Sequence, residues 1–178
     1  MARRSDTRDR ILDAALAITS ASGACQVTID AVSAKSGVSK GGVLYHFPDK
    51  ASLLSGLLDR HMDRQAAIYR EAEAEHGSTR HGRLHAAISV TAKRTNAQAM
   101  LPFLGILALE PGLLKRPRAK GAEVINDLRK DPKRFTKTVL VLLANSGLGL
   151  SEVLGTITLR PAERAAVIAA LHTLVDSL

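Results

Sequence analysis

Thr28-Ile-Asp-Ala-Val-Ser-Ala-Lys-Ser-Gly-Val-Ser-Lys-Gly-Gly-Val-Leu-Tyr-His-Phe-Pro-Asp-Lys50 is the stretch whose reading decides the fold. The Thr28 hydroxyl can cap a helix, Asp30 suits the positive end of that helix's dipole, and Gly37 ends it after barely two turns. Lys40 to Phe47 makes a second short helical segment that Pro48 stops, and Asp49 caps the run that follows. Between the two segments lies Ser36-Gly37-Val38-Ser39. There Gly37 permits a tight turn, Val38 plugs the angle between the helices, and Ser39 caps the second one. Two short helices joined in this way after a supporting amphipathic helix are the pattern of a helix-turn-helix. Its second helix offers its N-terminal residues to base edges in the major groove. Two short core helices around a glycine turn give the same pattern, so spacing alone does not separate the readings.

Upstream, Ile11, Leu12, Ala15, Leu16 and Ile18 form one helical stripe that Gly23 closes. Downstream, Leu53, Leu54, Leu57, Leu58, His61 and Met62 recur at i, i+3, i+4 spacing, which predicts a long helix to about Glu75. Gly77 breaks it and opens a linker from His76 to Gly82. Further helices are expected over 83–99, 101–109, 113–131, 133–155 and 161–177, with Pro and Gly at 102, 111, 112, 132, 155 and 161 marking their ends. No hairpin dipeptide sits between alternating runs, so the predicted fold is all-α: a helix-turn-helix module over 1–50 and a helical body over 51–178. The segment through Val139, Leu140, Val141, Leu142 and Leu143 is apolar nearly all round. The last helix is apolar on one side, through Val167, Ile168, Leu171, Leu174, Val175 and Leu178. Such surfaces must be covered by the monomer or by a partner.

At 178 residues the chain has room for one small module and one packed body. Hydrophobic residues make up 46% and aromatics only 3%, so aliphatic side chains must build the core. Apolar runs such as Val139 to Ala144 are too short to span a bilayer, and charge rather than a signal-peptide core follows the first residues. A cytoplasmic protein without a membrane segment is the expectation. One cysteine, Cys25, supports neither a disulfide framework nor a Cys-rich zinc site. The net charge of +8 favours a polyanionic partner, but its location matters more than its size. Residues 1–65 hold nine Lys/Arg against seven Asp/Glu, a net +2, whereas residues 115–137 hold nine against three, a net +6.

The quoted stretch, together with Thr7-Arg-Asp-Arg-Ile-Leu-Asp-Ala-Ala-Leu16 before it and Leu53-Leu54 after it, resembles the N-terminal domain of tetracycline-repressor (TetR) type regulators over roughly residues 6–62. That resemblance implies a sequence-specific DNA-binding transcriptional regulator, most often a repressor. It would act as a homodimer on a palindromic double-stranded operator and answer to a small-molecule effector. It further implies that Lys40 and Gly41 lie where the recognition helix approaches bases, that Thr28, Tyr45, His46 and Lys50 match positions that contact phosphates, and that Ser39 and Gly42 belong to the same DNA-binding set. The chemistry agrees, since hydroxyls, a phenol, a lysine and a helix N-terminus suit phosphate oxygens. Leu44 departs from the family pattern, which has Tyr there, so tyrosine contacts rest on Tyr45. Gly41-Gly42 is a second oddity, each glycine costing roughly 1 kcal/mol against Ala inside a helix. Packing of Val43 and Phe47 must therefore hold this helix.

Other residues carry weaker signals. His81 and His85 share a face at i, i+4, but without a third ligand they read as solvated histidines, and no metal or cofactor is expected. No basic residue neighbours Cys25 in sequence to mark it as a reactive thiol. The basic run 115–137 reads first as a solvated helix face and second as an accessory anion or DNA contact. Met100, Phe103, Leu104, Leu107 and Asn145 are candidate effector-pocket residues because they mix flexible apolar groups with one amide; plain core is the competing reading. The rival function is an all-helical enzyme or ligand carrier. The sequence shows none of the Gly-x-Ser-x-Gly, phosphate-loop or His-carboxylate motifs that such an enzyme would use, so no catalytic activity is expected.

Overall fold

Helix starts and stops fall close to the Pro, Gly and hydroxyl residues that the sequence offers. A computed structural model describes residues 4–93 and 100–178, and among these described residues there are nine α-helices and no strand. The helices are α1 (Arg4–Ser22), α2 (Ile29–Ser36), α3 (Lys40–His46), α4 (Lys50–His76), α5 (Arg80–Ala92), α6 (Leu101–Leu109), α7 (Lys115–Leu128), α8 (Pro132–Leu154) and α9 (Pro161–Asp176). Short 3-10 turns occupy Ala24–Gln26 and Pro111–Leu114. The helix expected from residue 83 begins three residues earlier, because the Thr79 hydroxyl caps it by accepting from the Gly82 N–H at 3.1 Å. The end expected at residue 99 lies outside the described residues. The segment expected over 113–131 starts as the 3-10 turn at Pro111, and its regular part is only α7.

Two compact units result, and they do not follow the 1–50 and 51–178 division. The first comprises α1, α2, α3, the first half of α4 as far as Asp63, and α6 with the turn after it. The reason is burial: Leu53, Leu54 and Leu57 of α4 are essentially inaccessible and share one core with Ile11, Leu12, Val27, Val32, Val43 and Phe47. Each such aliphatic side chain contributes roughly 1.5–3 kcal/mol, so the start of α4 belongs energetically to this unit. From α6, Phe103 and Ile106 complete the same core, and Phe103 stacks on His61 with ring centroids 3.7 Å apart. Arg60 of α4 reaches Asp13 of α1 at 2.8 Å and Asp9 at 3.7 Å.

The second unit holds the rest of α4 with α5, α7, α8 and α9. Its core is smaller, with Leu84 and Ile88 of α5 packed on Val141 of α8 and on Leu171 and Val175 of α9. The α4–α5 corner is tight. A Cβ on Gly82 would stand 2.1 Å from the Gly77 carbonyl oxygen, so only glycine fits there. Arg164 of α9 binds three places at once. It donates to Glu152 of α8 at 2.5 Å, to the Ala92 carbonyl at 3.0 Å and to the Thr91 carbonyl at 2.8 Å, closing the end of α5. Helix α8 is, among the described residues, the one helix long and apolar enough to cross a membrane, with a mean hydropathy of 1.3 over its best window. One face of it, Thr138, Val141, Asn145, Gly149 and Val153, is buried within the unit. The opposite face exposes Leu140, Leu143, Leu150 and Leu154.

Candidate nucleic-acid interface

The turn between α2 and α3 is built from local hydrogen bonds. Gly37 sits in the left-handed region at φ 67°, and its N–H donates to the Ser33 carbonyl at 3.1 Å. The Ser33 hydroxyl donates to the Val38 carbonyl at 2.7 Å, the Val38 N–H donates to Ser36 Oγ at 3.2 Å, and Arg10 of α1 donates to the Ser36 carbonyl at 2.8 Å. The angle between the helices is thereby fixed before any ligand arrives. Thr28 caps α2 by accepting from the Ala31 N–H at 3.1 Å, and Ser39 caps α3 by accepting from the Gly42 N–H at 3.2 Å. Val43 and Phe47 hold α3 to the core. Phe47 lies in a notch made by Gly56, where a Cβ would come within 2.6 Å of the ring, and the Arg8 guanidinium sits over its face at 5.2 Å.

Those contacts leave Lys40, Gly41, Leu44 and Tyr45 on the outward side of α3, with Tyr45 68% exposed. Tyr45 and His46 meet edge to face at 5.3 Å. Lys40 is paired with Asp30 of α2 at 2.8 Å, and Lys50 donates to the Cys25 carbonyl at 2.9 Å. The two glycines differ. A Cβ on Gly42 would meet Val38 Cγ1 at 2.8 Å, whereas one on Gly41 would meet nothing within 4 Å. Gly42 therefore lets α3 close onto the turn, while Gly41 leaves the outward face open. Asp49 caps α4 reciprocally with Ser52, its carboxylate accepting the Ser52 N–H at 2.7 Å while its own N–H donates to Ser52 Oγ at 3.2 Å. Hydrogen bonding from the Ser52 N–H, and then from the Ser52 side chain, holds the Asp49 carboxyl below its ordinary range.

A three-helix support, a fixed turn and a capped short helix with an open polar-apolar face have the form of a DNA reader, and the comparisons agree. Residues 11–57 match the model of bacterial regulatory proteins of the tetR family, and residues 81–176 match the tetracyclin repressor-like C-terminal domain. The chain belongs to the TetR family of transcriptional regulators. Among its relatives is the HTH-type transcriptional regulator SrpR of Pseudomonas putida, 40% identical over 57 residues, which is 32% of this chain and 27% of that protein. The chain thus matches about a quarter of that relative's length. A transcriptional regulator from Rhodococcus sp. Rha1 shares the fold at TM-score 0.68 and 22% identity, with 96% of this chain and 94% of that one covered. A TetR-like transcriptional regulator from Rhodococcus sp. RHA1 does so at 0.69 and 17%, with 98% and 96% covered. In this TetR-family chain the residues expected at the DNA lie on α3 (Lys40, Gly41, Gly42, Tyr45 and His46), at the N-caps of α2 and α3 (Thr28 and Ser39) and at the start of α4 (Lys50).

The residues expected to line an effector pocket are divided. Met100, Phe103, Leu104 and Leu107 belong to the first unit, where Phe103 is buried in the core and Leu107 packs against it. Asn145 belongs to the second unit, where its Nδ2 donates to the Ala87 carbonyl at 3.4 Å and its buried Oδ1 has no partner. Thr138, two turns earlier on the same buried face of α8, is also without a partner at Oγ1. Sequence reasoning missed a cavity of about 460 Å³ in this unit. Its apolar part is Leu84, Val124, Leu128 and Leu142, and its charged part is Glu73, Arg80, Arg83, Lys120, Glu123 and Asp127. Arg83 lies 3.5 Å from Asp127, while Arg80 bonds Asp131 at 3.3 Å and the Asp127 carbonyl at 3.4 Å. Hydrogen bonding and charge from Lys130, then the charges of Arg83 and Arg80, hold the Asp127 carboxyl below its ordinary range.

His85 does not work with His81. Its Nδ1 lies 2.7 Å from His172 Nδ1 of α9, its Nε2 lies 3.1 Å from Asp176, and His76 of α4 stands beside both rings while bonded to Ser89 at 2.9 Å. Partial burial first, then the neighbouring His85 and His76, push the His172 imidazole below its ordinary value of 6.5, against the opposing pull of Asp176. Among the described residues no group of three His, Cys, Asp or Glu side chains is arranged to hold a metal ion.

Proposed function

We propose that the protein is a sequence-specific DNA-binding repressor that acts as a homodimer on a palindromic operator and is released by a small effector. The observation that carries this reading is the outward face of α3, where Lys40, Gly41, Leu44 and Tyr45 are exposed. Lys40 would exchange the exposed Asp30 carboxylate for a base or phosphate. Lys50 spends one of three ammonium donors on Cys25 and keeps two for a phosphate. Cytoplasmic residence follows from access to DNA.

A second copy is the proposed cover for the exposed stripe of α8, where Leu143 is 63% and Leu140 60% exposed, and for Val167 and Leu174 of α9. Ala144 and Gly147 on the same stripe would let two helices approach closely. Such a dimer seated across its operator occludes it, which is why repression is the sign adopted. The effector reading rests on the cavity in the second unit, which Asn145 and Thr138 do not line. The alternative, a helical enzyme or carrier without DNA binding, is separated by selecting duplexes from a random-sequence pool with the purified protein. The account expects a palindromic consensus whose half-sites lie about one helical turn apart, 34–36 Å or a multiple, and a complex with an even number of protomers. Recovery of unenriched sequence together with a monomeric mass by light scattering would contradict it.

A further inference from the structure

Leu44 is the aliphatic residue on α3 that neither the core nor the turn explains. It is 38% exposed and is not among the hydrophobic residues packed against the first unit's core, where Val43 and Phe47 already anchor the helix. On the helix surface it lies one turn after Lys40 on the same ridge and three residues after Gly41, so it occupies the middle of the outward face. Its surroundings are cleared. The Lys40 ammonium is drawn aside to Asp30, and the ground beside Gly41 is open for 4 Å around any added Cβ. The centre of the recognition surface is thus a pair of leucine methyls next to an empty shelf, with no donor or acceptor of its own.

Among base edges in the major groove, thymine presents a methyl group, and apolar side chains read it by packing. We propose that Leu44 is a specificity-determining residue that packs on the C5-methyl of one thymine in each half-site, with Gly41 making room for that base. The inference rests on the placement of α3 in the major groove. It adds that part of the discrimination is apolar and is supplied by this residue, while Lys40 and Tyr45 supply polar contacts around it.

The test uses the full chain and duplexes selected by it from a random pool. Each thymine of the selected site is replaced singly by deoxyuridine, which removes only the methyl. Wild type is expected to lose about fourfold in affinity at one thymine per half-site, the factor worth one buried methyl. L44A should bind the thymine and uracil duplexes equally there, and L44M, which keeps apolar reach, should retain the penalty. Unchanged melting temperatures of both variants show that the fold is intact. A wild type indifferent to every uracil substitution, or L44A keeping the wild-type penalty, overturns the role of Leu44 while leaving DNA binding in place. Failure of wild type to enrich any sequence overturns the major-groove placement itself.

Discussion

Among the described residues, the side-chain ties in the body reach further along the chain, up to 91 residues for His85 with Asp176, than those in the reader, up to 51 residues for Arg60 with Asp9. In the reader, α2, α3 and α4 are each started by a side chain acting three residues ahead: Thr28 on Ala31, Ser39 on Gly42 and Asp49 on Ser52. Behind those caps lies an aliphatic core with several fully buried leucines. In the body, polar ties reach across the chain. Arg164 closes α5 from 73 residues away, and His172 meets His85 from 87 residues away. A mutation in the reader should therefore act locally and on DNA, whereas one in the body should act on stability.

The largest effect should come from the α4–α5 corner. Gly82→Ala places a methyl against a backbone carbonyl that cannot step aside, and about 3 kcal/mol of stability should be lost in urea unfolding, the upper end of ordinary overpacking. If it unfolds like wild type, the corner is looser than described. Next comes Arg164→Met, which leaves Glu152 and the end of α5 without their donor. A loss of roughly 2–3 kcal/mol is expected, with α5 amides exchanging faster while those of α2 and α3 stay protected.

A pH effect of smaller size belongs to the histidine cluster. Because the folded-state value of His172 lies below the unfolded value, its contribution to stability is fully present above about 6.5. It is lost as pH falls from there through the lower folded value. The melting temperature should decline between pH 7 and 5.5, and His172→Gln should flatten that decline. His85, His76 and Asp176 face this ring, so His85→Gln should flatten it too. An unaltered slope in both variants would show that other groups set it.

What the sequence revealed follows the same division. Caps, the Gly37 turn and the aliphatic period are local, so α2, α3 and the all-helical fold were legible. The partners of Arg164 and the joining of His85 to His172 were not, because spacing within one helix says nothing about which distant helix packs beside it. His81 and His85 share a helix face and read as solvated, whereas tertiary packing brings His85 against His172 and Asp176. Phe103 was a candidate pocket residue against the commoner reading of plain core, and its burial against His61 depends on a contact 42 residues away in the chain. Gly41 and Gly42 were indistinguishable as letters, yet one is required by Val38 and the other is not. Gly41→Ala should accordingly gain about 0.5–1 kcal/mol of stability through helix propensity while weakening operator binding. The opposite signs separate a fold residue from a recognition residue.

The measurement that bears most directly on the account is a titration of the selected operator and a scrambled duplex at three salt concentrations. The account predicts that the operator is bound at least about a thousandfold more tightly, and that both affinities fall steeply as salt rises because phosphates are neutralised by lysines and arginines of the reader. Equal affinity for the two duplexes at every salt concentration would contradict it.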